Sequence, residues 1–480
     1  MTRCDSSPTP RSFYRSRGLL AALALAHAVG SACAPEGRAA GGPTGGSGTP
    51  LREAPNVLFL TIDTLRADRL TPYGYGRPTS PAIAELAQSS VVFEEAQASS
   101  SWTLPTLASV VTGHYSSTHR CWKRKSRLSP AFDTLPELLR DAGYDTAAAI
   151  SHLFLARRYG LQQGITHFDT SFDRPVAHGD TAVSSPGVTE RGLGFLRHQA
   201  ESPDAGPWFL WLHYFDPHFK YTAHGGDSAQ FGEDEPSDRY DGEIRYTDGY
   251  LGEVLESLED LGLADSTVVV LFADHGEEFG EHGELYHGHT LHRELVRVPL
   301  MIRAPGFPSG RVSTPVRTVD LMPTVLELVG LDVPAELPGV SLVPALAGGE
   351  SSMPSLRSTP ALSEVRLFTG PNQFESLVEG DWKLLVRLSD RRASLYSLRD
   401  DPGEMRDVAA EEHERVAEMQ MTLEGVVREA REAGEIYAPV AELGLSSDEQ
   451  DVLNSLGYTG DTEEEGAEVL ERAPGQQEDE

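Results

Sequence analysis

NVLFLTID at residues 56–63 is an apolar run that ends in a carboxylate, Asp63. VVVLFADHG at residues 268–276 is a second apolar run, and the carboxylate of Asp274 follows its strand-like part. Neither run alternates with polar residues, so both predict strands buried on both faces of a parallel sheet. Ligands of such sheets bind beyond the carboxyl ends of the strands. Asp63, Asp274 and His275 follow two such ends, and we therefore expect them to meet in one binding site.

The rest of the chain continues the alternation of strands and helices. Further strands are predicted at residues 90–93, 146–150, 207–214 and 298–302, and helices near 81–88, 105–112, 135–142, 246–261 and 319–328. This order predicts an α/β fold in which a mostly parallel sheet carries helices on both faces.

The C-terminal third reads differently. Residues 361–366, 375–388 and 393–398 predict a small antiparallel sheet with a turn at 379–381, and residues 411–433 predict a helix packed on it. We therefore divide the folded chain into a catalytic α/β domain at 55–350 and an α+β subdomain at 351–459. An acidic stretch at 460–480 is poor in apolar residues and is predicted to be disordered.

The N-terminus predicts an exported protein. Arg11, Arg15 and Arg17 precede the apolar stretch 18–29, which is typical of a signal peptide. Residues 30–33, Gly-Ser-Ala-Cys, resemble a bacterial lipoprotein box in which Cys33 would be lipidated, giving a leader at 1–33 and a flexible linker at 34–54. Gly30 stands where such boxes usually carry leucine, so ordinary signal cleavage stays an alternative. We expect a periplasmic or cell-envelope lipoprotein of a bacterium.

Charge and cysteine usage exclude some partners. The formal net charge of -33 and the pI near 4.8 argue against binding to nucleic acid, and leave a lipid anchor as the expected contact with a membrane. Cys121 is the one cysteine of the predicted folded region, so no disulfide within that region is possible.

Thr103 opens an apolar helix, with Pro105 in the first turn and Gly113 at its end. One interpretation is that Thr103 only caps this helix. The other is that its hydroxyl, at the positive end of the helix dipole, is a metal-activated nucleophile. We expect Asp63, Thr103, Asp274 and His275 to bind one divalent ion, because carboxylate, hydroxyl and imidazole are suitable ligands.

Three more histidines are candidates for binding the substrate. His213 and His218 follow the predicted strand 207–214, and His287 lies in the His-rich loop GEHGELYHGH at 280–289. An imidazole there could bind the transferred group, and His218 could also help the leaving oxygen to depart. The alternative for the first two is a turn built on Asp216 and Pro217.

Together these motifs resemble the sulfatase family within the alkaline phosphatase superfamily. The resemblance runs from about residue 56 to 407 and is carried by residues 56–63, ASVVTG at 108–113, DHGE at 274–277, EHG at 281–283 and LYSLRDDPGE at 395–404. It implies a metal-dependent hydrolase that acts on sulfate or phosphate esters.

The sequence departs from the sulfatase pattern at the predicted active centre. Sulfatases carry a cysteine or serine at the position of Thr103, which is converted to formylglycine; threonine cannot undergo this conversion. Leu107 replaces the family's arginine, Thr64 replaces the second acid of an Asp-Asp pair, and no lysine stands near His152. A metal-bound threonine instead resembles the nucleotide pyrophosphatase and phosphodiesterase branch, whose enzymes use two zinc ions.

These comparisons predict one divalent ion, Ca, Mn or Zn, and are compatible with a second ion held in part by Asp216, His218 and His287. The leading hypothesis is a hydrolase that cleaves sulfate esters, phosphodiesters or phosphonate esters through Thr103 and a covalent threonyl ester. The substrate would be the ester of a small molecule, a glycan or a lipid headgroup. The alternatives are a phospho-alcohol transferase acting on cell-surface polymers and a decayed, glycan-binding sulfatase fold.

Overall fold

The structure is a computed structural model that describes residues 54–169, 183–202, 205–353, 359–367 and 372–455. The predicted leader with Cys33, nearly all of the linker and the acidic tail lie outside the described residues. None of the helices in the described ranges combines the length and the apolar content that crossing a bilayer requires.

Fifteen strands are found in the described ranges. They are β1 Asn56–Ile62, β2 Val91–Gln97, β3 Asp145–Ile150, β4 His167–Asp169, β5 Trp208–Tyr214, β6 Thr267–Ala273, β7 Glu278–Phe279, β8 Leu285–Tyr286, β9 Arg297–Arg303, β10 Gly310–Val312, β11 Val316–Arg317, β12 Ala361–Val365, β13 Phe374–Glu379, β14 Trp382–Arg387 and β15 Ala393–Ser397.

The same ranges contain eleven α-helices. They are α1 Pro81–Gln88, α2 Thr103–Thr112, α3 Ser116–His119, α4 Leu135–Asp141, α5 Ser185–Glu201, α6 Pro236–Asp260, α7 Arg293–Val296, α8 Leu321–Leu328, α9 Val343–Gly348, α10 His413–Gly434 and α11 Ser447–Ser455.

The larger sheet has the strand order β10-β2-β9-β6-β1-β5-β3-β4, with β11 paired to β2. Strands β6, β1, β5, β3 and β4 are parallel to one another, whereas β9 is antiparallel to both β6 and β2. The second sheet, β12-β13-β14-β15, is antiparallel. The predicted fold class is therefore confirmed, including the small C-terminal sheet.

Strand β1 lies between β5 and β6, and its apolar side chains are almost completely buried. The pairing places Ile62 opposite both Tyr214 of β5 and Ala273 of β6. The residues that follow β1 and β6 therefore emerge side by side, at the same edge of the sheet. This register brings Asp63 and Asp274 together, as the ends of the two apolar runs predict.

The starts of α6 and α2 differ from the sequence prediction. Helix α6 begins at Pro236, ten residues before the predicted start. Its first turns bury polar residues such as Asp241 and Glu243 rather than an apolar stripe, so the hydrophobic pattern does not predict them. Thr103 is the first residue of α2, and the extended Trp102 before it is the N-cap. The prediction that Thr103 caps this helix is therefore wrong by one residue.

Gly276 marks the point at which the loop after β6 packs directly against α7. Its N–H donates a hydrogen bond to the carbonyl oxygen of Leu295 at 2.8 Å. A Cβ atom at this position would lie 1.9 Å from the carbonyl oxygen of Glu294. Only glycine fits such an approach without a shift of the backbone.

We expect Gly276→Ala to lower the free energy of unfolding by about 1–3 kcal/mol or more, because the two backbones must separate. Denaturant unfolding measures this change. The control is Gly194→Ala in α5, where a Cβ meets open space and where alanine should stabilise the helix by up to about 1 kcal/mol. Equal stability of Gly276→Ala and the wild type would contradict the close packing of α7.

Candidate active site

The carboxyl ends of four neighbouring strands gather the polar residues of the candidate site. Asp63 follows β1, Asp274 and His275 follow β6, His213 lies at the end of β5, and His152 comes shortly after β3. All five side chains are fully buried. The parallel pairing of these strands is thus what places two acids and three imidazoles around one point.

Asp63, Asp274 and His275 form a compact group whose donor atoms lie within 4.8 Å of one another. His275 Nε2 is 3.5 Å from Asp63 Oδ1 and 3.5 Å from Asp274 Oδ2. Neither oxygen of Asp63, nor Oδ2 of Asp274, has a hydrogen-bond partner in the described part of the chain. Buried carboxylates without a partner are costly, and a divalent cation would satisfy all three oxygens at once.

Thr103 joins this group from the first turn of α2. Its Oγ1 lies 3.3 Å from His275 Nε2, and the side chain is fully buried. The structure therefore brings together all four residues that the sequence predicted as ligands of one ion. Their assignment as ligands stays a prediction, and the donor set of two carboxylates, one hydroxyl and one imidazole fits a divalent metal.

The orientation of three imidazole rings is fixed by acceptors behind them. Nδ1 of His275 lies 3.0 Å from the carbonyl oxygen of Gly276, and Nδ1 of His218 lies 2.7 Å from that of Phe219. A carbonyl only accepts, so both Nδ1 atoms carry the proton. In neutral rings the Nε2 atoms then present lone pairs, as metal-ligating histidines do.

His287 repeats this arrangement with a carboxylate. Its Nδ1 lies 2.8 Å from Oε1 of the fully buried Glu277. The ring of His287 is 4.5 Å from the ring of His275 and 4.9 Å from the ring of His218, measured between centroids. A carboxylate behind an imidazole that faces a cluster of imidazoles is the usual outer support of a metal ligand.

His152 has the opposite orientation. Its Nδ1 accepts a hydrogen bond from the N–H of Phe154 at 3.0 Å, so the neutral ring carries its proton on Nε2. Nε2 lies 3.7 Å from Asp63 Oδ2, and Nε2 of His213 lies 3.9 Å from the same oxygen. His152 therefore offers an N–H to this side of the site, whereas the other three rings offer lone pairs.

Burial decides the charge of these groups. It lowers the pKa of His213 and that of His218 to about 3, so both rings are neutral near pH 7. Burial and the charges of Asp274 and Glu277 raise the pKa of Asp63 well above its usual range. A neutral imidazole whose Nε2 carries a lone pair repels an anionic oxygen. The arrangement therefore does not favour direct binding of an ester anion by Nε2 of His218 or His287.

Asp216 does not belong to the site. Its carboxylate accepts hydrogen bonds from the backbone N–H and the hydroxyl of Ser185, at 2.8 and 2.5 Å, and from the N–H of Ser184 at 3.1 Å. It is thereby committed to the start of α5. These donors occupy Oδ2 of Asp216 and disfavour a contribution to a second metal site, which stays a prediction.

Sequence reasoning missed His152 and Glu277 as members of the site. A histidine shortly after a strand gives no signal until the strand order puts β3 beside β5. Glu277 was visible within DHGE, but its role depends on the pairing with His287. Leu107, at the position of the family's arginine, is completely buried inside α2.

A second cluster, Glu278, His282 and Glu294, lies beside this site, with donor atoms within 4.8 Å of one another. Its groups are bonded among themselves and to neighbours: His282 Nδ1 donates to Glu294 at 2.6 Å, and Glu278 accepts from His289 Nε2 at 2.9 Å and from the N–H of His282 at 2.9 Å. This cluster fastens the loop that carries His287.

Family models match most of the described chain. The Sulfatase model matches residues 55–331, and a model of the C-terminal part of N-sulphoglucosamine sulphohydrolase matches residues 280–433. Choline-sulfatase of Rhizobium meliloti (strain 1021) is 26% identical over 430 residues, covering 74% of this chain and 82% of the relative. Arylsulfatase K of Xenopus laevis is 32% identical over 226 residues, covering 45% of this chain and 42% of the relative.

Two solved structures share the fold. One is a protein in complex with its substrate D-glucosamine-2-N,6-O-disulfate, with a TM-score of 0.67, 19% identity and coverage of 81% of this chain and 99% of that chain. The other is a phosphonate monoester hydrolase from Silicibacter pomeroyi, with a TM-score of 0.62, 22% identity and coverage of 78% and 95%.

We predict that Asp63→Asn stabilises the metal-free protein and weakens ion binding. Since the pKa of Asp63 is raised on folding, the folded state holds a proton that the unfolded chain releases, and stability falls as the pH rises above about 4. In EDTA near neutral pH the variant should therefore unfold at a higher temperature than the wild type. Added Zn²⁺ should stabilise the wild type more than the variant.

Thermal unfolding of both proteins in EDTA and in Zn²⁺, over a range of pH, measures these effects. Asp141→Asn, which alters an exposed carboxylate, is the control and should behave as the wild type does. If Asp63→Asn lowered the stability of the metal-free protein, the carboxylate would have a partner that the geometry does not show.

Proposed function

The chain belongs to the sulfatase family, and from this premise we propose that it is a metal-dependent hydrolase that cleaves sulfate or phosphate esters with Thr103 as nucleophile. The observation that carries the proposal is the buried hydroxyl of Thr103 at 3.3 Å from His275, which itself lies 3.5 Å from both Asp63 and Asp274. A helix cap would not need two buried carboxylates and an imidazole beside its hydroxyl.

Thr103 opens the reaction in this proposal. A bound divalent ion would lower the pKa of a coordinated hydroxyl and offset negative charge on the ester. The threonine oxygen attacks sulfur or phosphorus, the bond to the alcohol oxygen breaks, and a threonyl ester forms. Water then hydrolyses this ester and restores the hydroxyl. The helix dipole of α2 favours the anionic transferred group at the same position.

His152 is the residue to which we assign direct contact with the transferred group. Its N–H on Nε2 faces the Asp63 side of the site and can donate to an anionic oxygen. This replaces the expectation that His213, His218 and His287 bind the ester through hydrogen bonds. Of these, His213 has no hydrogen-bond partner on either ring nitrogen in the described ranges.

Several features favour a phosphodiester or phosphonate ester as the substrate. Thr103 cannot provide the aldehyde hydrate of formylglycine enzymes. Leu107 supplies no guanidinium, which disfavours a doubly charged phosphate monoester but does not separate the singly charged sulfate esters from phosphodiesters. The fold is shared with a phosphonate monoester hydrolase. Relatives named choline-sulfatase and arylsulfatase K support a sulfate ester instead. We keep both within the proposal, on small-molecule, glycan or lipid-headgroup alcohols.

The number and type of ions form a further part of the proposal. Imidazoles with outward lone pairs favour Zn²⁺ or Mn²⁺ over Ca²⁺, which binds oxygen ligands. Two imidazoles that bind one ion at about 2.1 Å hold their ring centroids about 5 Å apart, and those of His218 and His287 are 4.9 Å apart. We assign these two rings to a second ion.

Export and the lipidation of Cys33 are proposals that rest on the leader sequence.

Thr103→Ala should lower kcat by about 10³-fold or more, because the nucleophile is lost, while the protein keeps its fold and its metal. Thr103→Ser, which retains a hydroxyl, should keep measurable turnover. Asp274→Ala should lose turnover and the ion held by Asp63, Asp274 and His275. Paired assays on an aryl sulfate and an aryl phosphodiester, with metal analysis of the same samples, measure these effects. Full activity of Thr103→Ala would make a water molecule the attacking group.

Metal analysis after equilibration with Zn²⁺ should find two ions in the wild type. His218→Asn and His287→Asn should each reduce the count to one, since the group around Asp63 stays intact. His198→Asn, which alters a histidine on the surface helix α5, is the control and should keep two. A single ion in the wild type would remove His218 and His287 from the set of ligands.

A further inference from the structure

Glu404 is a buried glutamate with a strained backbone. It lies after β15, its φ is +58°, and its carboxylate accepts two hydrogen bonds from Lys383 Nζ of β14, at 2.8 and 2.9 Å. Residues other than glycine rarely adopt such a φ, and they keep it where the surrounding contacts fix it. The strained backbone and the buried ion pair therefore indicate that Glu404 has a specific role in holding the structure around it.

The same residue reaches across to the loop that carries the site histidines. Oε2 of Glu404 accepts hydrogen bonds from His292 Nδ1 at 3.1 Å and from the N–H of Arg293 at 3.2 Å. Its carbonyl oxygen accepts from His282 Nε2 at 3.2 Å. The rings of His282 and His292 stack at 3.7 Å between centroids. Glu404 thus holds the chain on both sides of His287.

A second chain of contacts leads from Glu404 to His275. His292 is the N-cap of α7 and Arg293 is its first residue, so the carboxylate fixes the start of this helix. The carbonyl of Leu295, at the other end of α7, accepts the hydrogen bond from Gly276. A shift of α7 would therefore move the backbone that carries His275.

Resting on the proposed function, we propose that the Lys383–Glu404 ion pair positions His275 and His287 for catalysis. Neither residue touches the ligand atoms of the site, so both are positioning residues. A buried ion pair often adds little to stability compared with apolar residues of similar volume. An apolar pair, however, offers no acceptor to His292 or Arg293, while the backbone carbonyl that accepts from His282 is kept. The small C-terminal sheet would thereby be part of the catalytic apparatus.

The double substitution Lys383→Met and Glu404→Met separates positioning from stability. We expect it to fold with a thermal midpoint close to that of the wild type, and to lower kcat by about 10–100-fold, as the loss of outer support for metal ligands does. Its affinity for Zn²⁺ should fall as well. The matched control removes an exposed pair of the same sheet, Arg387→Gln with Asp390→Asn, and should leave both quantities unchanged.

A second comparison covers the case in which the double variant fails to fold. His292→Asn keeps an N–H near the position of Nδ1 and should retain most of the turnover, whereas His292→Ala should lose it. Wild-type kcat and wild-type Zn²⁺ affinity in the double variant, or equal behaviour of the two His292 variants, would overturn the proposal. If the wild type hydrolyses neither ester, the proposed function fails, and Zn²⁺ affinity alone decides the positioning role.

Discussion

Two buried carboxylates are the constraint on which the site depends: Asp63 has no hydrogen bond on either oxygen, and Asp274 has none on Oδ2, within the described residues. Strand pairing forces them together at one edge of the larger sheet, and burial makes their charges expensive. We propose that a divalent cation resolves this conflict, with the hydroxyl of Thr103 beside it. The remaining features of the site, from the imidazole orientations to the contact of Gly276 with α7, keep these groups in place.

The histidine cluster gives the site its particular chemistry. Nδ1 of His218, His275 and His287 is held from behind by an acceptor, and burial lowers the pKa of His218 and of His287 so that these two rings are neutral near pH 7. Of the four site histidines whose ring orientation is defined by a hydrogen bond on Nδ1, His152 is the one that directs an N–H toward the Asp63 side of the site. Where the sulfatase pattern has an arginine and a second acid, this chain has Leu107 and Thr64, and the proposed ions would supply positive charge for the ester. This reasoning favours a site built on metal ions and threonine.

Much of this could be predicted from the sequence because apolar runs and their polar ends are local signals. The strands β1 and β6, the hairpin of β13 and β14 and the meeting of Asp63 with Asp274 and His275 follow from such runs. The roles of His152, Glu277 and Glu404 depend on partners far along the chain, which no local pattern encodes. The bonds from Ser184 and Ser185 to Asp216 are of the same kind, since the spacing of Asp216 and His218 does not reveal them.

The central claim is that Thr103 is the nucleophile of a covalent step. Rapid-quench mass spectrometry tests this claim most directly. The metal-loaded protein is mixed with the aryl sulfate or the aryl phosphodiester, quenched in acid during turnover and digested. The account predicts a sulfuryl or phosphoryl adduct on the peptide that contains Thr103, formed and lost at rates that match turnover. Turnover without any adduct, or an adduct on another residue, would contradict it.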